Sequence, residues 1–280
     1  MTSNILVIGG TGKTGRRVVE KLNLRNQKVR IGTRGNDPAF DWDNPSTYAD
    51  ALKGMDKVYI VYYPDLAVPG AKEAIQTLVE AAKNEGLEKV VLLSGKGERE
   101  AELCEQIVMR SGIAYTIVRA SWFMQNFSES FFLDPILAGH VALPQSKAQV
   151  PYVHADDIAE VVVESLLNEV HNGHIYELTG PRTLTFPEVI DAIAKASGRE
   201  INFSSSSLEE YVEMLEKLGV PEDYIWLINY LFSNVLAAPG NNVVTGDIEK
   251  VLGRKPKDFN EYTKETAKTG IWNQTITQSI

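Results

Sequence analysis

Three glycines spaced three residues apart, Gly9, Gly12 and Gly15, form the segment of this 280-residue chain best suited to binding a ligand. An apolar run at 5–8 precedes them, and a helix-like stretch at 16–24 follows. In such a strand–turn–helix unit, backbone N–H groups at the helix N-terminus point at an anion, and the helix dipole favours its negative charge. The glycines provide a tight turn, a close approach to a pyrophosphate and close helix–strand packing. The predicted cofactor contacts in this loop are Gly9, Thr11, Gly12, Lys13, Thr14 and Gly15.

The same loop contains Gly12-Lys13-Thr14, which matches the end of the phosphate-binding loop of nucleotide hydrolases. That motif requires another glycine five positions before Gly12. Position 7 is a valine inside the predicted strand. The spacing therefore excludes a nucleotide hydrolase and favours a dinucleotide site.

The end of the second predicted strand indicates which dinucleotide binds. An acidic residue there accepts the 2′-hydroxyl of NAD, whereas an arginine accommodates the 2′-phosphate of NADP. The chain has Arg34 at this position and no carboxylate before Asp37. Because a guanidinium pairs with phosphate and stacks on adenine, we expect NADP(H) in preference to NAD(H), with Lys13 as a second positive charge. Asp41 is predicted to hold the adenine amine with Trp42 packed nearby, although turn and N-cap roles fit Asp41 equally well.

Segments with strand and helix character alternate along the first half of the chain, which is typical of a parallel sheet covered by helices. The predicted strands are 5–9, 28–33, 57–62, 90–94, 115–119 and, later, 174–178. The predicted helices are 14–23, 47–53, 69–84, 99–110 and 158–168, and the chain after 186 is mostly helical. We therefore predict an α/β fold. A doubly wound parallel-sheet Rossmann domain occupies 1–150, with 151–180 returning to it, and a smaller, mainly helical C-terminal lobe occupies 181–280.

The composition restricts the partners and the location of the protein. The formal net charge is −9 and no basic stripe occurs, so we expect no nucleic-acid partner. No apolar run approaches the roughly 18 residues of a membrane helix, and the first strand follows residue 4 at once, so we expect neither a membrane anchor nor a signal peptide. Cys104 is the only cysteine, which excludes an intrachain disulfide and fits a cytoplasmic location. We expect it to be a buried side chain of its helix.

The four histidines predict no metal site. His171 and His174 lie in a glycine turn without a third ligand nearby. His154 precedes two aspartates at the start of a predicted helix, and we expect it to be structural rather than catalytic.

Several segments resemble a known protein family. The loop at 9–15, the strand end Thr33-Arg34, Ser94-Gly95 after a Val-Val-Leu-Leu strand, and the segment 115–119 resemble the NmrA-like atypical short-chain dehydrogenase/reductases. The segments 40–42, 65–70, 120–127 and 176–181 are similar to the branch of that family named after ergot-alkaloid-biosynthesis reductases. The resemblance covers nearly the whole chain and implies a Rossmann domain that binds NADP(H), with a smaller lobe over the nicotinamide. Related proteins reduce iminium, quinone and enone-like acceptors, and some bind the dinucleotide as redox sensors without turnover.

The proton donor that ordinary short-chain reductases use is absent from the sequence. Those enzymes have a tyrosine followed four residues later by a lysine that lowers the tyrosine pKa. None of the eleven tyrosines has a lysine at that spacing. Tyr115 has Arg119 there, but on a strand this spacing separates the two residues by about 13 Å. Either the acceptor needs no proton from the protein, or the protein is a sensor.

Other polar residues at predicted strand ends are candidates for catalysis. Ser94 and Lys96 follow the fourth strand and Tyr62 follows the third, on the edge of the sheet where ligands bind. Ser94 and Tyr62 are also predicted to contact the cofactor. The alternatives are capping of the next turn for Ser94 and a solvated side chain for Lys96.

The aromatic-rich segment that follows the fifth strand supplies the predicted substrate contacts. These are Trp122, Phe123 and Asn126, with packing in an apolar core as the alternative. The sequence thus favours NADPH-dependent hydride transfer to a small, electron-poor organic molecule. The alternative is a non-catalytic NADP(H)-binding redox sensor that acts through a protein partner. A sugar-nucleotide epimerase or dehydratase is disfavoured because such enzymes normally need the absent tyrosine and lysine.

Overall fold

The computed structural model describes residues 2–236 and 238–273 and divides the chain into two compact units. The first unit comprises the chain up to Ala120, together with Ala155–Leu178 and Asp247–Arg254. The second unit comprises Ser121–His154, Thr179–Gly246 and the chain from Lys255 onward.

The described residues form eight strands and eleven α-helices, numbered in chain order. The strands are β1 (Asn4–Ile8), β2 (Lys28–Gly32), β3 (Lys57–Ile60), β4 (Lys89–Gly95), β5 (Ala114–Ala120), β6 (His140–Leu143), β7 (His174–Leu178) and β8 (Asn202–Ser205). The helices are α1 (Gly15–Leu24), α2 (Tyr48–Leu52), α3 (Ala71–Asn84), α4 (Arg99–Arg110), α5 (Leu133–Leu137), α6 (Ala155–Leu167), α7 (Phe186–Ser197), α8 (Leu208–Lys217), α9 (Glu222–Tyr230), α10 (Asp247–Leu252) and α11 (Phe259–Ala267).

The first unit is built on a parallel sheet with strand order β2-β1-β3-β4-β5-β7. Strand β1 is a continuous apolar run, and Ile5–Ile8 have no exposed surface, because helices cover both faces of the sheet. Helix α6 packs against α1 and α10, while α3 packs against α2 and α4. This architecture confirms the predicted doubly wound Rossmann fold.

Three ion pairs join α1 to α6 in the first unit. They follow the four-residue spacing that places side chains on one face of each helix. The pairs are Arg17–Asp156 (2.7 Å), Lys21–Glu160 (3.1 Å) and Arg25–Glu164 (2.6 Å). Asp156 and Asp157, predicted to cap a helix beginning at 158, instead lie in the first turn of α6.

The second unit surrounds an aromatic core. Its largest fully buried side chains are Phe127, Phe132, Tyr152, Phe186, Phe232, Phe259, Tyr262 and Trp272. The unit is mainly helical, as predicted, but it also contains a two-stranded parallel sheet of β6 and β8 that the sequence did not indicate. Helix α9 ends at Tyr230 and is followed directly by the π-helical turn Leu231–Val235.

The boundaries of the compact units differ from the predicted domain boundaries. Residues 121–150 were predicted to lie in the Rossmann domain, but they pack in the aromatic core of the second unit because their rings associate with one another. Residues 247–254 were predicted to lie in the C-terminal lobe, but α10 packs against α6 and β7 of the first unit. Residues 274–280 of the predicted lobe lie outside the described residues.

Within the described ranges, no helix combines the length and the apolar character needed to cross a membrane.

Candidate functional site

The glycine turn after β1 is held by its own backbone. Gly9 has a positive φ of 71°, and its N–H donates to the carbonyl of Gly32 at 3.2 Å. The carbonyl of Gly9 accepts from the N–H of Gly12 at 2.9 Å. A Cβ on Gly15 would overlap that same carbonyl group, whereas a Cβ on Gly12 would meet only the Gly9 oxygen, at 3.2 Å. Gly15 is thus needed for packing of the helix on the turn, and Gly12 leaves room for a ligand.

The N-terminus of α1 has no side-chain cap. Thr14 is the N-cap residue, but its hydroxyl accepts a 2.9 Å hydrogen bond from the buried hydroxyl of Tyr59. Thr14 is itself buried, so its side chain is directed into the unit and only its backbone is available to a ligand. An uncapped N-terminus leaves backbone donors for an anion.

The glycine turn lies where the strand order of the sheet reverses. Strand β1 is flanked by β2 and β3, so the chain leaves β1 toward one side and later continues on the other. Ligands of open α/β sheets bind at such a switch point, beyond the carboxyl ends of the strands. A Cβ on Gly9 would lie 3.2 Å from the Cβ of Val61, which brings the loop after β3 beside the turn.

Arg34 follows β2 at the same edge of the sheet. Gly32 at the end of β2 is in register with Ile8 at the end of β1. Arg34 is exposed, and it forms neither an ion pair nor a hydrogen bond with any residue of 2–236 and 238–273. Its guanidinium therefore carries a charge that the described part of the protein leaves uncompensated.

An aromatic cluster lies beside this edge and contains Phe40, Trp42, Tyr48 and Tyr62. The ring of Trp42 is 4.6 Å from that of Tyr62 and 4.9 Å from that of Phe40. The hydroxyl of Tyr48 donates to the carbonyl of Trp42 at 2.9 Å. Burial, followed by the charges of Tyr62, Asp41 and Asp43, raises the pKa of Tyr48 to about 12, and burial also raises that of Tyr62.

Asp41 stabilises a turn in this structure. A turn role and an N-cap role were the two alternatives to its predicted contact with adenine. Its carboxylate accepts from the N–H of Asp43 at 3.2 Å. The N-cap position of the short helix Pro45–Thr47 is occupied by Asn44 instead.

Ser94 does not present its proton at the ligand edge. Its hydroxyl donates to the carboxylate of Glu105 at 2.6 Å, and Glu105 has no exposed surface. Arg119 binds both oxygens of this carboxylate, with distances of 2.7 Å from Nη2 and 2.9 Å from Nε. Ser94 thus belongs to a buried network rather than capping the next turn.

Lys96 is buried, with 7% of its surface exposed, so the expectation of a solvated lysine is wrong. Its backbone N–H donates to the carbonyl of Ala120 at 2.9 Å, which extends the β4–β5 pairing. Cys104 is buried as predicted, and burial raises the pKa of its thiol to about 12.

Two carboxyl groups that the sequence did not single out lie at the same edge of the sheet. Asp65 follows β3 and Glu98 follows β4, and their side chains share a hydrogen bond. Each residue alone looks like an ordinary loop acid. The only sequence signal is that both come shortly after the end of a buried strand.

The predicted substrate contacts lie in the second unit. Trp122 is half-buried, with ring centroids 5.5 Å from Phe232 and 5.9 Å from Phe186. Phe123 and Asn126 are also half-buried, and Phe123 forms an isolated bridge with Val153. Trp122 therefore packs on the aromatic core and keeps part of its surface exposed.

The histidines have structural partners. His154 is buried against Gln125, with 3.0 Å between Nε2 atoms, and His171 Nδ1 is 2.8 Å from the hydroxyl of Tyr176. Among the described residues, no group of three histidine, cysteine or acidic side chains is arranged to hold a metal ion.

The parallel sheet, the glycine turn at its switch point and the uncapped helix behind it define a Rossmann-type NAD(P)-binding protein. The model of the NmrA-like family matches residues 1–265. The chain therefore belongs to the NmrA-like family, which confirms the resemblance seen in the sequence.

Curated relatives match over nearly the whole chain. NAD(P)H azoreductase of Xenophilus azovorans is 32% identical over 286 residues, covering 94% of this chain and 98% of that protein. Prestalk A differentiation protein A of Dictyostelium discoideum is 30% identical over 280 residues, covering 94% of this chain and 92% of that protein. Agroclavine dehydrogenase of Claviceps fusiformis is 24% identical over 286 residues, covering 96% and 98%.

Solved structures share the fold. A nucleoside-diphosphate-sugar epimerase from Staphylococcus aureus superposes with a TM-score of 0.78 at 20% identity, covering 93% of this chain and 99% of that one. The triphenylmethane reductase of Citrobacter sp. in complex with NADP(H) gives a TM-score of 0.75 at 19% identity, covering 94% and 99%. At these identities the likeness concerns the fold alone.

Proposed function

We propose that this protein binds NADP(H) and transfers hydride to a small, electron-poor organic acceptor of the iminium, quinone or enone type. The observation that carries the proposal is the turn in which Gly15 must lack a side chain for packing, while a Cβ on Gly12 would meet only the Gly9 oxygen within 4 Å. This arrangement suits a pyrophosphate on the N-terminus of α1.

The preference for NADP(H) rests on Arg34. The guanidinium is exposed, uncompensated within the described residues, and placed at the end of β2 where a 2′-phosphate would lie. The bound cofactor would supply the hydride. Thr11, Lys13 and the backbone of Thr14 are proposed to hold the phosphates, and Trp42 and Tyr62 to pack against the cofactor.

The acceptor class is supported by the relatives. Their names describe an NAD(P)H azoreductase and an agroclavine dehydrogenase, both oxidoreductases of small organic molecules. On this chain, Trp122, Phe123 and Asn126 are the proposed substrate contacts because they keep part of their surface exposed at the rim of an aromatic core.

A panel of acceptors tests this function directly. NADPH and the protein are mixed with quinones, cyclic iminium ions and activated enones, and oxidation is followed at the nicotinamide absorbance. We expect oxidation with at least one acceptor. Calorimetric titration with NADP⁺ and NADPH runs beside the panel.

The second candidate is a redox sensor without turnover. It is favoured by the relative named as a differentiation protein rather than as an enzyme. No turnover across the panel, together with a strong preference for one redox form of the dinucleotide, would support the sensor and contradict the reductase.

A further inference from the structure

Glu98 folds back over the end of β4. A Cβ on Gly95, the last residue of that strand, would overlap the carboxyl group of Glu98. The absence of a side chain at position 95 is therefore what admits the carboxyl group. Only 7% of Glu98 is exposed, and its Oε2 has no hydrogen-bond partner among the described residues.

Asp65 supplies the partner of the Glu98 carboxyl group. Protonated Glu98 donates to Asp65, and this hydrogen bond adds to the rise in the pKa of Glu98. Burial raises the pKa of Asp65, and the hydrogen bond from Glu98 offsets part of that rise. The Asp65 carboxylate also accepts from the N–H of Ala67 at 2.8 Å, so its position is held by its own loop. One proton is shared by the buried carboxyl group of Glu98 and the half-buried carboxyl group of Asp65, which come from different loops.

The surroundings of the pair keep this proton bound. Burial raises the pKa of Glu98 well above its usual range, and the negative charges of Asp65, Glu100 and Glu105 raise it further, in that order of size after burial. A buried carboxyl group that faces like charges stays neutral and can act as an acid near neutral pH.

We propose that Glu98, positioned by Asp65, is the general acid that protonates a neutral acceptor in this protein. The proposal rests on the proposed reductase function, because the hydride must come from NADPH. It assigns the role of the missing tyrosine to a carboxyl pair at the carboxyl edge of β3 and β4, where ligands of such sheets bind.

The step balances for an activated enone. Bound NADPH would supply hydride to the β-carbon. The electron pair of the carbon–carbon double bond then forms a double bond between the α-carbon and the carbonyl carbon, and the π pair of the carbonyl group moves to its oxygen. The O–H bond of Glu98 breaks, and its proton goes to that oxygen. A half-turn of the carboxyl group exchanges the oxygen that faces Asp65 with the unpartnered Oε2, since this terminal torsion is broadly two-fold. The pair then regains a proton from solvent.

Two acceptors with different proton demands distinguish an acid from a structural residue. Hydride addition to an N-methyl cyclic iminium ion gives a neutral amine without any proton, whereas the enone needs one. In Glu98→Gln we expect kcat with the enone to fall about a hundredfold or more. With the iminium ion kcat changes little. The matched control is Glu85→Gln, which removes an exposed carboxylate directly after α3. We expect it to leave both rates unchanged.

Asp65→Asn tests the shared proton through the pH profile. Glu98 acts in its protonated form, so activity with the enone is lost as pH rises through the pKa of Glu98. Removing the negative charge of Asp65 lowers that pKa, and we expect the alkaline limb of the enone profile to move to lower pH. The iminium profile does not move.

A measurement without cofactor tests the protonation itself. Because the folded-state pKa of Glu98 is raised, its contribution to stability is present below the unfolded pKa of about 4.3 and is lost as pH rises through the folded value. Urea unfolding of the unloaded protein should therefore show a decline of stability with rising pH that is smaller in Glu98→Gln and unchanged in Glu85→Gln.

The outcomes separate the two proposals. Equal slowing of both acceptors in Glu98→Gln, or unchanged rates with both, would overturn the role of Glu98 while leaving the reductase function standing. No turnover of either acceptor by the unsubstituted protein would overturn the reductase function and this step with it. A decline of stability with pH as large in Glu98→Gln as in the unsubstituted protein would show that the proton is not held there.

Discussion

The backbone of Gly15 lies against the carbonyl group of Gly9, so closely that no side chain fits at position 15. The same carbonyl accepts the N–H of Gly12 at 2.9 Å, so the turn is held without any side chain. Gly12 meets only this oxygen within 4 Å of where a Cβ would stand. The two glycines therefore have different requirements, one for the fold and one for a ligand.

Alanine substitutions should separate these requirements. Gly15→Ala is expected to lower the free energy of unfolding by about 1–3 kcal/mol or more, because the new Cβ overpacks the turn. Gly12→Ala should fold with a much smaller loss but bind dinucleotide weakly, because its Cβ takes the place of the pyrophosphate. Urea denaturation and calorimetric titration measure the two effects. Dinucleotide binding by Gly12→Ala at the affinity of the parent protein would contradict the assignment of the site.

Arg34 should determine the choice between cofactors. We expect NADPH to bind at least about tenfold more tightly than NADH, which corresponds to about 1.4 kcal/mol. Arg34→Asp should shrink or reverse this preference, because it removes the partner of the 2′-phosphate and adds a repulsive charge. Lys28→Asp makes a similar change of charge at the opposite end of β2 and serves as the control. Equal affinities of the unsubstituted protein for both dinucleotides would contradict this prediction.

The sheet could be predicted because its strands are local apolar runs. Strands β1 and β4 each contain at least four consecutive aliphatic residues, and α4 begins and ends at the predicted residues 99 and 110. The pair β6 and β8 could not be predicted in this way. Strand β8 contains one apolar residue in four and is stabilised by pairing with a distant segment, which local periodicity does not reveal.

The candidate site, like the sheet, could be predicted only where the signal is local in the sequence. Glycine spacing identifies the turn because each glycine meets a local steric requirement. The directions of Thr14 and Ser94 could not be predicted, because they depend on Tyr59 and Glu105, which are remote in sequence. The backbone pairing of Lys96 with Ala120, at the end of another strand, likewise could not be predicted from the local sequence.

No tyrosine should be indispensable for turnover. Tyr62 packs its ring on Trp42, and burial raises the pKa of its hydroxyl, which makes it a poorer acid. We expect Tyr62→Phe to reduce kcat by less than the roughly hundredfold loss that removal of a general acid causes. Tyr63→Phe, at a position that is 68% exposed, is the control. Loss of activity in Tyr62→Phe with NADPH binding intact would identify Tyr62 as the proton donor and contradict this prediction.

The last prediction concerns the acceptor and depends on Trp122. Its ring packs on Phe132, Phe186 and Phe232, yet part of its surface stays exposed. Truncation of a buried aromatic side chain costs about 3–5 kcal/mol, and the half-buried ring should cost less. We expect Trp122→Ala to raise the Michaelis constant for the acceptor, because a flat aromatic contact is lost, while the affinity for NADPH changes little.

Phe131→Ala provides the matched control for this prediction. Phe131 also contacts Phe132, with 4.5 Å between ring centroids, and 42% of its surface is exposed. It should lower stability without changing the Michaelis constant, since it is not a proposed substrate contact. Steady-state kinetics at saturating NADPH, with urea denaturation of both variants, gives the comparison. If Phe131→Ala raises the Michaelis constant as much as Trp122→Ala does, the effect comes from the packing of the aromatic core, and Trp122 does not contact the acceptor.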